Sequence, residues 1–337
     1  MKSNLNWQSA RIAALRDVTP TVREFIITPA HGPAERWAPG AHLMVRLHVA
    51  GRLQTRSYSL VGLPEDAAGY RIAVKCLMDG HGGSRAMWAL AVGDSLEVST
   101  PQNHFPLAYL APATLLVAGG IGITPMVSMA QALVKRGLPV KLLYAARSTA
   151  ELAFAEPLRA LLGDALVTRA ADLGDMLDIG QAIDELPAGA QVYVCGPAGL
   201  LNAVRQRWLE AGRPEPSLRF ETFGSGGQLP PAGFEVAVPR HHAELHVAPD
   251  QSLIEVLEAA GIEVMNDCRR GECGLCALDV LALDGEIDHR DVFLSAHEKR
   301  ENKRICACVS RVVGRVTLDT AWREEVLQQT TAHRKTA

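Results

Sequence analysis

Three cysteines stand close together near the C-terminal end of the chain. Residues 268–276 read CRRGECGLC, so Cys268, Cys273 and Cys276 are separated by four and then two residues. Structural zinc usually takes two Cys-x-x-Cys pairs, or cysteines with a compact histidine pair, and neither pattern occurs here. The spacing is typical of a plant-type [2Fe-2S] cluster. We therefore predict an iron-sulfur site in this loop.

The composition of the loop agrees with this prediction. Backbone N–H groups must point at thiolates that carry negative charge, and Gly271 and Gly274 allow the chain to wrap closely around them. A thioredoxin-like Cys-x-x-Cys pair would instead stand at a helix N-terminus. The fourth ligand must come from residues 305–311, ICACVSR, where Cys306 and Cys308 share one face of an extended segment. The spacing alone leaves both cysteines as candidates.

The surrounding sequence predicts the elements that position this loop. Short alternating or β-branched runs up to about residue 106 predict an antiparallel barrel. From about residue 114, apolar strands alternate with helical segments, which predicts a parallel α/β sheet. A stretch rich in Gly and Pro then indicates a linker. We expect domains at 1–108, 109–224 and 234–325, with the linker at 225–233.

Composition and charge argue against several classes of protein. The 337 residues are 48% apolar with a net charge of -3, which gives no indication of a nucleic-acid partner. The first residues lack the apolar stretch of a secretion signal, and seven cysteines then fit a reducing compartment, so we expect a cytoplasmic protein. Residues 105–134 carry no charge, but repeated Pro and Gly argue against a membrane span.

The C-terminal block resembles the ferredoxin domain of the phthalate dioxygenase reductase family, which includes vanillate demethylase reductases. The resemblance is carried by DCRRGECGLCALDVL at 267–281, DGEIDHRD at 284–291 and CVSR at 308–311. It implies an α+β (β-grasp) ferredoxin domain that follows a flavin-binding β-barrel domain and an α/β nicotinamide domain. It also implies Cys308 as the fourth ligand. Cys306 stays the alternative, because the segment before Cys308 is slightly longer than usual.

A strand-end motif, RSYSL at 56–60, resembles the flavin-binding Arg-x-Tyr-Ser motif of the wider ferredoxin reductase superfamily. The resemblance implies that Tyr58 lies against the isoalloxazine ring and that Ser59 hydrogen-bonds near its reactive N5. Arg56 would pair with the flavin phosphate. Without that context, such residues at a strand end are more often structural.

A glycine run at 80–90, GHGGSRAMWAL, precedes a predicted helix. It indicates a phosphate cradle, although an ordinary Gly-rich turn with a serine N-cap has the same pattern. By resemblance, Val74 and Lys75 also line the flavin, and with no obvious adenine site the cofactor would be FMN rather than FAD. The predicted cradle residues are Gly82, Gly83 and Ser84.

Two glycine-containing turns resemble the nicotinamide-binding signatures of the same superfamily. LLVAGGIGITPM at 115–126 runs from an apolar strand through a turn into a helix that we expect to begin at Pro125. YVCGP at 193–197 matches the second signature, in which Cys195 lies near the nicotinamide, although it also suits a buried strand-end thiol. The implied binding residues are Gly119, Gly120, Gly122, Thr124, Pro125, Cys195, Gly196 and Pro197.

The choice between NADH and NADPH rests on the end of the second strand of this domain. Arg147 follows VKLLYAA there and could meet a 2'-phosphate, where an acidic residue would indicate NADH. The family resemblance implies NADH, which we adopt. RFETFG at 219–224 resembles the family's terminal aromatic segment, in which Phe223 covers the flavin. A core phenylalanine at a domain border is the alternative.

Together these motifs predict an electron path. NADH delivers two electrons as a hydride, a [2Fe-2S] cluster accepts one at a time, and FMN reconciles the two. Hydride transfer needs alignment rather than a general base, so Tyr58, Ser59 and Cys195 are the residues expected at the reacting atoms. The resemblance implies a Rieske-type terminal oxygenase as partner, acting on an aromatic or similar small molecule.

Two other functions fit parts of the sequence. One is a stand-alone NAD(P)H-dependent flavin or quinone reductase that carries an iron-sulfur domain. The other is a non-catalytic, zinc-stabilised binding module. Arg269 and Arg270 follow the first cysteine of the loop. They could contact an acidic patch on the oxygenase or tune the potential of the cluster. The alternative is that both are simply solvated at the surface.

Overall fold

A computed structural model describes residues 6–66, 68–78, 82–223, 229 and 232–320. The chain forms two compact bodies, one within residues 4–223 and the other within residues 224–337. Most of the predicted linker at 225–233 lies outside the described residues, as do residues 80 and 81 at the start of the predicted phosphate cradle.

An antiparallel six-stranded sheet forms the first part of the first body. Its strands are β1 (Trp7–Thr19), β2 (Val22–Pro29), β3 (His42–Val49), β4 (Arg52–Ser59), β5 (Tyr70–Lys75) and β6 (Ser95–Ser99), with the short helix α1 (Gly83–Trp88) before β6. The order is β4-β3-β6-β1-β2-β5, and a bridge between Leu60 and Ile72 joins the two ends. Phe25, Leu43 and Ile72 are fully buried inside. This confirms the predicted barrel.

A parallel sheet with flanking helices forms the second part. The elements are β7 (Thr114–Gly119), α2 (Ile123–Lys135), β8 (Val140–Ala146), α3 (Ala155–Leu162), β9 (Leu166–Ala170), α4 (Ile179–Asp184), β10 (Gln191–Cys195), α5 (Ala198–Glu210) and β11 (Leu218–Glu221). The order is β11-β10-β7-β8-β9. Every residue of β7 is buried, as expected of a central strand covered on both faces.

The helix that follows β7 begins earlier than predicted. It starts at Ile123, directly after a single helical turn at 120–122, so Pro125 is its third residue rather than its first. A proline is tolerated there because the first four N–H groups of a helix have no intrahelical partner. The glycine turn therefore leads directly into the first turn of the helix.

The second body is a mixed sheet with one packed helix. Its elements are β12 (Phe234–Val238), β13 (Ala243–Val247), α6 (Leu253–Ala259), β14 (Ala277–Asp288), α7 (Ala296–Glu301), β15 (Arg304–Cys306) and β16 (Arg311–Asp319), in the sheet order β13-β12-β16-β14-β15. Only β12 and β16 pair in parallel. A capping box between Ser252 and Glu255 starts α6. The cysteine loop connects α6 to β14.

No helix in the described part of the chain is long and apolar enough to cross a membrane. The uncharged stretch at 105–134 instead supplies β7 and most of α2, as its Pro and Gly residues predicted.

Candidate functional site

The predicted flavin motif ends at a buried hydrogen bond. The hydroxyl of Ser59, at the end of β4, donates to Glu221 Oε2 over 3.1 Å, and the two residues are 3% and 1% exposed. Glu221 ends β11 and is paired in register with Cys195, which is fully buried at the end of β10. The flavin motif and the second nicotinamide signature therefore meet at one place.

The phenol of Tyr58 precedes this contact and is half-buried. Burial raises its pKa well above the ordinary value, and the nearby Arg56 only partly opposes the rise. The phenol is therefore neutral at physiological pH, as an unperturbed tyrosine also is.

In the predicted phosphate cradle, the guanidinium of Arg56 lies against the backbone of a glycine. A Cβ atom on Gly83 would lie 2.8 Å from Arg56 Nε, so the guanidinium packs directly against the start of α1. Gly82 has φ +84°, which favours glycine. Ser84 Oγ accepts from the Leu77 N–H over 3.0 Å and so ties the turn to the segment that follows β5. A positive charge beside the first turn of a helix suits a phosphate.

Two predicted flavin-lining residues make other contacts. The Val74 carbonyl accepts from the indole N–H of Trp88 over 3.0 Å. The ammonium of Lys75 forms a 2.6 Å ion pair with Glu151, which also accepts a 3.3 Å hydrogen bond from the hydroxyl of Thr21. The charge of Lys75 is therefore compensated by the nicotinamide part of the body.

The two nicotinamide signatures are packed against each other. A Cβ on Gly122 would lie 2.2 Å from the Cys195 carbonyl oxygen, and one on Gly119 would lie 2.6 Å from Pro197 Cδ. Both glycines are thus required by packing. Gly120 differs, because its φ of +54° favours glycine while the space beside it is open. Its backbone is the part of the turn that a ligand could approach.

Some predicted nucleotide-binding residues shape this turn from inside. Thr124 is 2% exposed and its hydroxyl donates to the Ile121 carbonyl over 3.0 Å, while the neighbouring Pro125 is also buried. A Cβ on Gly196 would lie 2.9 Å from the Gly119 nitrogen.

The remaining two predicted residues lie at the edges of the nicotinamide part. Arg147 is exposed directly after β8, at the carboxyl edge of the sheet where nucleotides bind in such folds. Phe223 is half-buried and packs on the hydrophobic core of this part.

The first cysteine of the metal loop lies in a nest of N–H groups. Cys268 Sγ accepts from the backbone N–H groups of Arg270, Glu272 and Cys273, each over 3.4 Å. The Cys273 thiol also donates to it, and with these N–H groups lowers the pKa of Cys268 to about 5, while the pKa of Cys273 rises. The loop is therefore built to hold a thiolate.

A second pair of thiols lies next to the strands β14 and β15. Cys276 Sγ lies 3.2 Å from Cys308 Sγ. Hydrogen bonding with the Cys306 thiol and then with the Cys308 thiol lowers the pKa of Cys276 to about 4 and raises the pKa of Cys306 and Cys308. Cys306 is fully buried and Cys308 is 7% exposed. Both candidates for the fourth ligand thus lie beside Cys276.

The donor set fits two irons better than one ion. Cys268 with Cys273, and Cys276 with Cys308, form two pairs, and each iron of a [2Fe-2S] cluster takes two thiolates. Among the described residues, no group of three or more His, Cys, Asp or Glu side chains gathers as a single metal ion would need. Gly274 and Gly271 have φ of +72° and +75°, as a tightly wrapped loop requires.

Both arginines of the loop lie beside carboxylates. Arg270 is only 9% exposed and lies 3.6 Å from Glu272 Oε2, so neither simple solvation nor direct docking describes it. Arg269 forms an ion pair with Glu258 and donates to Asn266 over 3.0 Å. A buried guanidinium is costly unless it is paired, and these carboxylates supply the partners. Tuning of the cluster potential by either residue stays a hypothesis.

Sequence reasoning missed Glu221. The residue lies inside the quoted RFETFG segment, and a carboxylate directly at the end of an apolar strand was the available signal. Its partner, Ser59, is 162 residues away, so the contact itself has no local signature.

Comparisons with known proteins agree with this arrangement. Three family models match: an oxidoreductase FAD-binding domain at 11–107, an oxidoreductase NAD-binding domain at 116–169 and a 2Fe-2S iron-sulfur cluster binding domain at 237–313. The chain is 37% identical over 305 residues to the heme-dependent oxidative N-demethylase beta subunit of Ectopseudomonas mendocina, covering 90% of this chain and 96% of that one.

Two further relatives extend the match. The vanillate O-demethylase oxidoreductase of a Pseudomonas species is 38% identical over 278 residues, or 81% of this chain and 86% of that one. The solved structure of phthalate dioxygenase reductase superposes with a TM-score of 0.80 at 32% identity, covering 93% of this chain and 98% of that one.

The fold and the three matched domains define a flavin- and nicotinamide-dependent reductase with a [2Fe-2S] domain. The chain belongs to the phthalate dioxygenase reductase family. It is an NADH-dependent oxidoreductase of the kind that passes electrons through a flavin to a [2Fe-2S] cluster and serves an oxygenase system. The zinc-stabilised binding module is thereby excluded.

Proposed function

We propose that the chain is the reductase of a Rieske-type oxygenase, with FMN as its flavin and NADH as its electron donor. The observation that carries the proposal is the meeting of Ser59, Glu221 and Cys195, which joins the end of the flavin motif to the end of the nicotinamide sheet. Hydride transfer requires the two rings to stack in alignment, and the proximity of the two predicted motifs at this point supports the proposal.

The proposed flavin site lies on the barrel. Arg56 and the N–H groups at the start of α1 would hold the phosphate, with Gly82, Gly83 and Ser84 forming the turn. Tyr58 and Phe223 would bound the ring, and Ser59 would place a hydroxyl at its reactive edge. A bound flavin supplies the conversion between two-electron and one-electron transfer.

The proposed nicotinamide and cluster sites complete the path. The open backbone at Gly120 would meet the pyrophosphate, and Cys195 would lie beside the nicotinamide. Arg147, exposed at the edge of the sheet, would meet the adenosine end. The proposed cluster ligands are Cys268, Cys273, Cys276 and Cys308.

FMN is distinguished from FAD by a direct measurement. Flavin released by heat from the purified chain should have the mass of FMN. The cradle at Arg56 and Gly83 supports a phosphate-bearing flavin, and the lack of an obvious adenine site in the sequence favours FMN. Release of FAD in stoichiometric amount would refute it.

The type of oxygenase is tested by reconstitution. The Rieske-type oxygenase encoded nearest to this gene should consume its substrate when given NADH and this chain, and should not when given NADH alone. A heme enzyme is the second candidate, because the name of one relative specifies a heme-dependent N-demethylase. Turnover of a heme partner but not of a Rieske partner would favour that candidate.

A further inference from the structure

The cysteine loop exposes only one of its proposed ligands. Cys273 is exposed, whereas Cys268, Cys276 and Cys308 are buried. A cluster held by these ligands would have the least protein between it and solvent at Cys273, so a partner could approach it most closely there.

Two large apolar side chains flank this exposed ligand. Leu275, two residues further along the loop, is 44% exposed, and Phe293 is 43% exposed. The phenyl ring lies flat on the loop, because a Cβ on Gly274 would come within 2.2 Å of Phe293 Cζ. A hydrogen bond of 3.0 Å from the Val292 N–H to the Gly271 carbonyl fixes the segment that carries Phe293. We call Cys273, Leu275 and Phe293 the apolar rim.

The cationic side chains near the apolar rim have carboxylates beside them. Arg304, whose guanidinium lies 6.0 Å from the centre of the Phe293 ring, also lies 3.8 Å from Asp279 and 4.0 Å from Glu298. On the other side of the loop, Arg269 is paired with Glu258. These arginines therefore add no uncompensated positive charge, and the rim offers apolar area next to the negatively charged thiolates of the loop.

We propose that the apolar rim is the docking surface for the terminal oxygenase, and that the oxygenase meets it with an apolar patch. The inference rests on the proposed function. A reduced cluster held by the loop would give one electron to the oxygenase's acceptor centre, so the cluster would be oxidised and the acceptor reduced, with no bond formed or broken. Leu275 and Phe293 would exclude water from the contact.

Substitution at the rim tests the proposal. Leu275→Gln replaces an exposed apolar side chain with a polar one of similar size, and Leu281→Gln, at a 59% exposed position on β14, is its matched control. We expect Leu275→Gln to weaken binding of the oxygenase, measured by calorimetry, by about tenfold. Leu281→Gln should change it less than about twofold.

Three measurements distinguish failure of the docking proposal from failure of the proposed function. The parent chain must first support oxygenase turnover, and failure there refutes the proposed function rather than the rim. The rate of cluster reduction by NADH, measured by rapid mixing without oxygenase, should be the same in the parent chain and in Leu275→Gln. If that step slows instead, the rim serves the chain's own flavin and the proposal is overturned. Phe293→Gln, with the cluster spectrum checked, provides an independent second variant.

Ionic strength provides a test without substitution. Because the proposed contact is apolar and the neighbouring arginines are already paired with carboxylates, the dissociation constant of the parent complex should change less than about threefold between low and high salt. A steep weakening with salt, or unchanged binding by both rim variants, would overturn the proposal.

Discussion

Ser59 and Glu221 form a buried 3.1 Å hydrogen bond across 162 residues of sequence. Ser59 ends a strand of the antiparallel barrel, and Glu221 ends an edge strand of the parallel sheet. Because Cys195 is paired with Glu221 in register, the contact fixes the flavin motif against the nicotinamide signature. Any loosening of this bond should affect the step in which both cofactors take part.

Loss of the hydroxyl at this contact should impair flavin reduction. Ser59→Ala removes the donor to a buried carboxylate, so we expect the free energy of unfolding to fall by about 1–3 kcal/mol. The rate of flavin reduction by NADH, followed by stopped-flow absorbance, should fall about tenfold or more. Ser95→Ala, at an exposed position on β6, is the control and should leave both unchanged. A normal reduction rate in Ser59→Ala would exclude a role in hydride transfer.

A methyl group at Gly122 should disrupt nucleotide binding. The added Cβ would lie 2.2 Å from the Cys195 carbonyl, and backbone atoms cannot yield as a flexible side chain can. We expect Gly122→Ala to raise the KM for NADH by about tenfold or more. Gly180→Ala in α4 has only ordinary contacts at 3.5 Å and should have a normal KM. Equal KM values in the two variants would contradict the packing of the two signatures.

The ion pair between Lys75 and Glu151 should give a pH-dependent contribution to stability. The hydrogen bond from Lys75 holds the pKa of Glu151 below its usual value. A lowered carboxylate pKa stabilises the fold above the unfolded value, about 4.3, and this contribution is lost as the pH falls through the folded value.

Urea unfolding across pH measures this contribution. At pH 7 Glu151→Gln should be less stable than the parent by about 1 kcal/mol, and the difference should vanish well below about pH 4. Glu185→Gln, which removes the partner of the more exposed Lys141, should show a smaller difference. A gap between Glu151→Gln and the parent that persists in acid would point to lost packing instead.

The fourth cluster ligand can be identified by two matched substitutions. We expect Cys308→Ser to lose the cluster, because Cys308 Sγ lies 3.2 Å from Cys276 Sγ and completes the second thiol pair. Cys306→Ser should retain the cluster, since the residue is fully buried in the core. Iron and sulfide content distinguishes them, and loss only in Cys306→Ser would reverse the assignment. Flavin reduction by NADH should survive in both variants.

Local signals in the sequence were sufficient for the barrel, the parallel sheet and the cysteine loop. Strand and helix periods are set by the backbone itself, and the spacing of Cys268, Cys273 and Cys276 is imposed by the geometry of the cluster they would hold. These features depend on neighbours in sequence, so a pattern could predict them.

The features that could not be predicted depend on distant partners. The link from Glu221 to Ser59 and the pairing of Lys75 with Glu151 arise only when separate elements meet. Arg270 reads as a surface charge in sequence, yet the fold buries it near Glu272. The start of α2 was predicted at Pro125, later than its observed start at Ile123, because proline suits the third helical position as well as the first.

Electrons from NADH should reach a cluster held by the cysteine loop. Anaerobic addition of NADH to the purified chain, followed by low-temperature electron paramagnetic resonance, detects this transfer. We predict the signal of a reduced [2Fe-2S] cluster in the parent chain, and flavin bleaching without that signal in Cys308→Ser. Flavin bleaching in the parent with no cluster signal, although iron and sulfide are present, would show that the electrons do not reach the cluster.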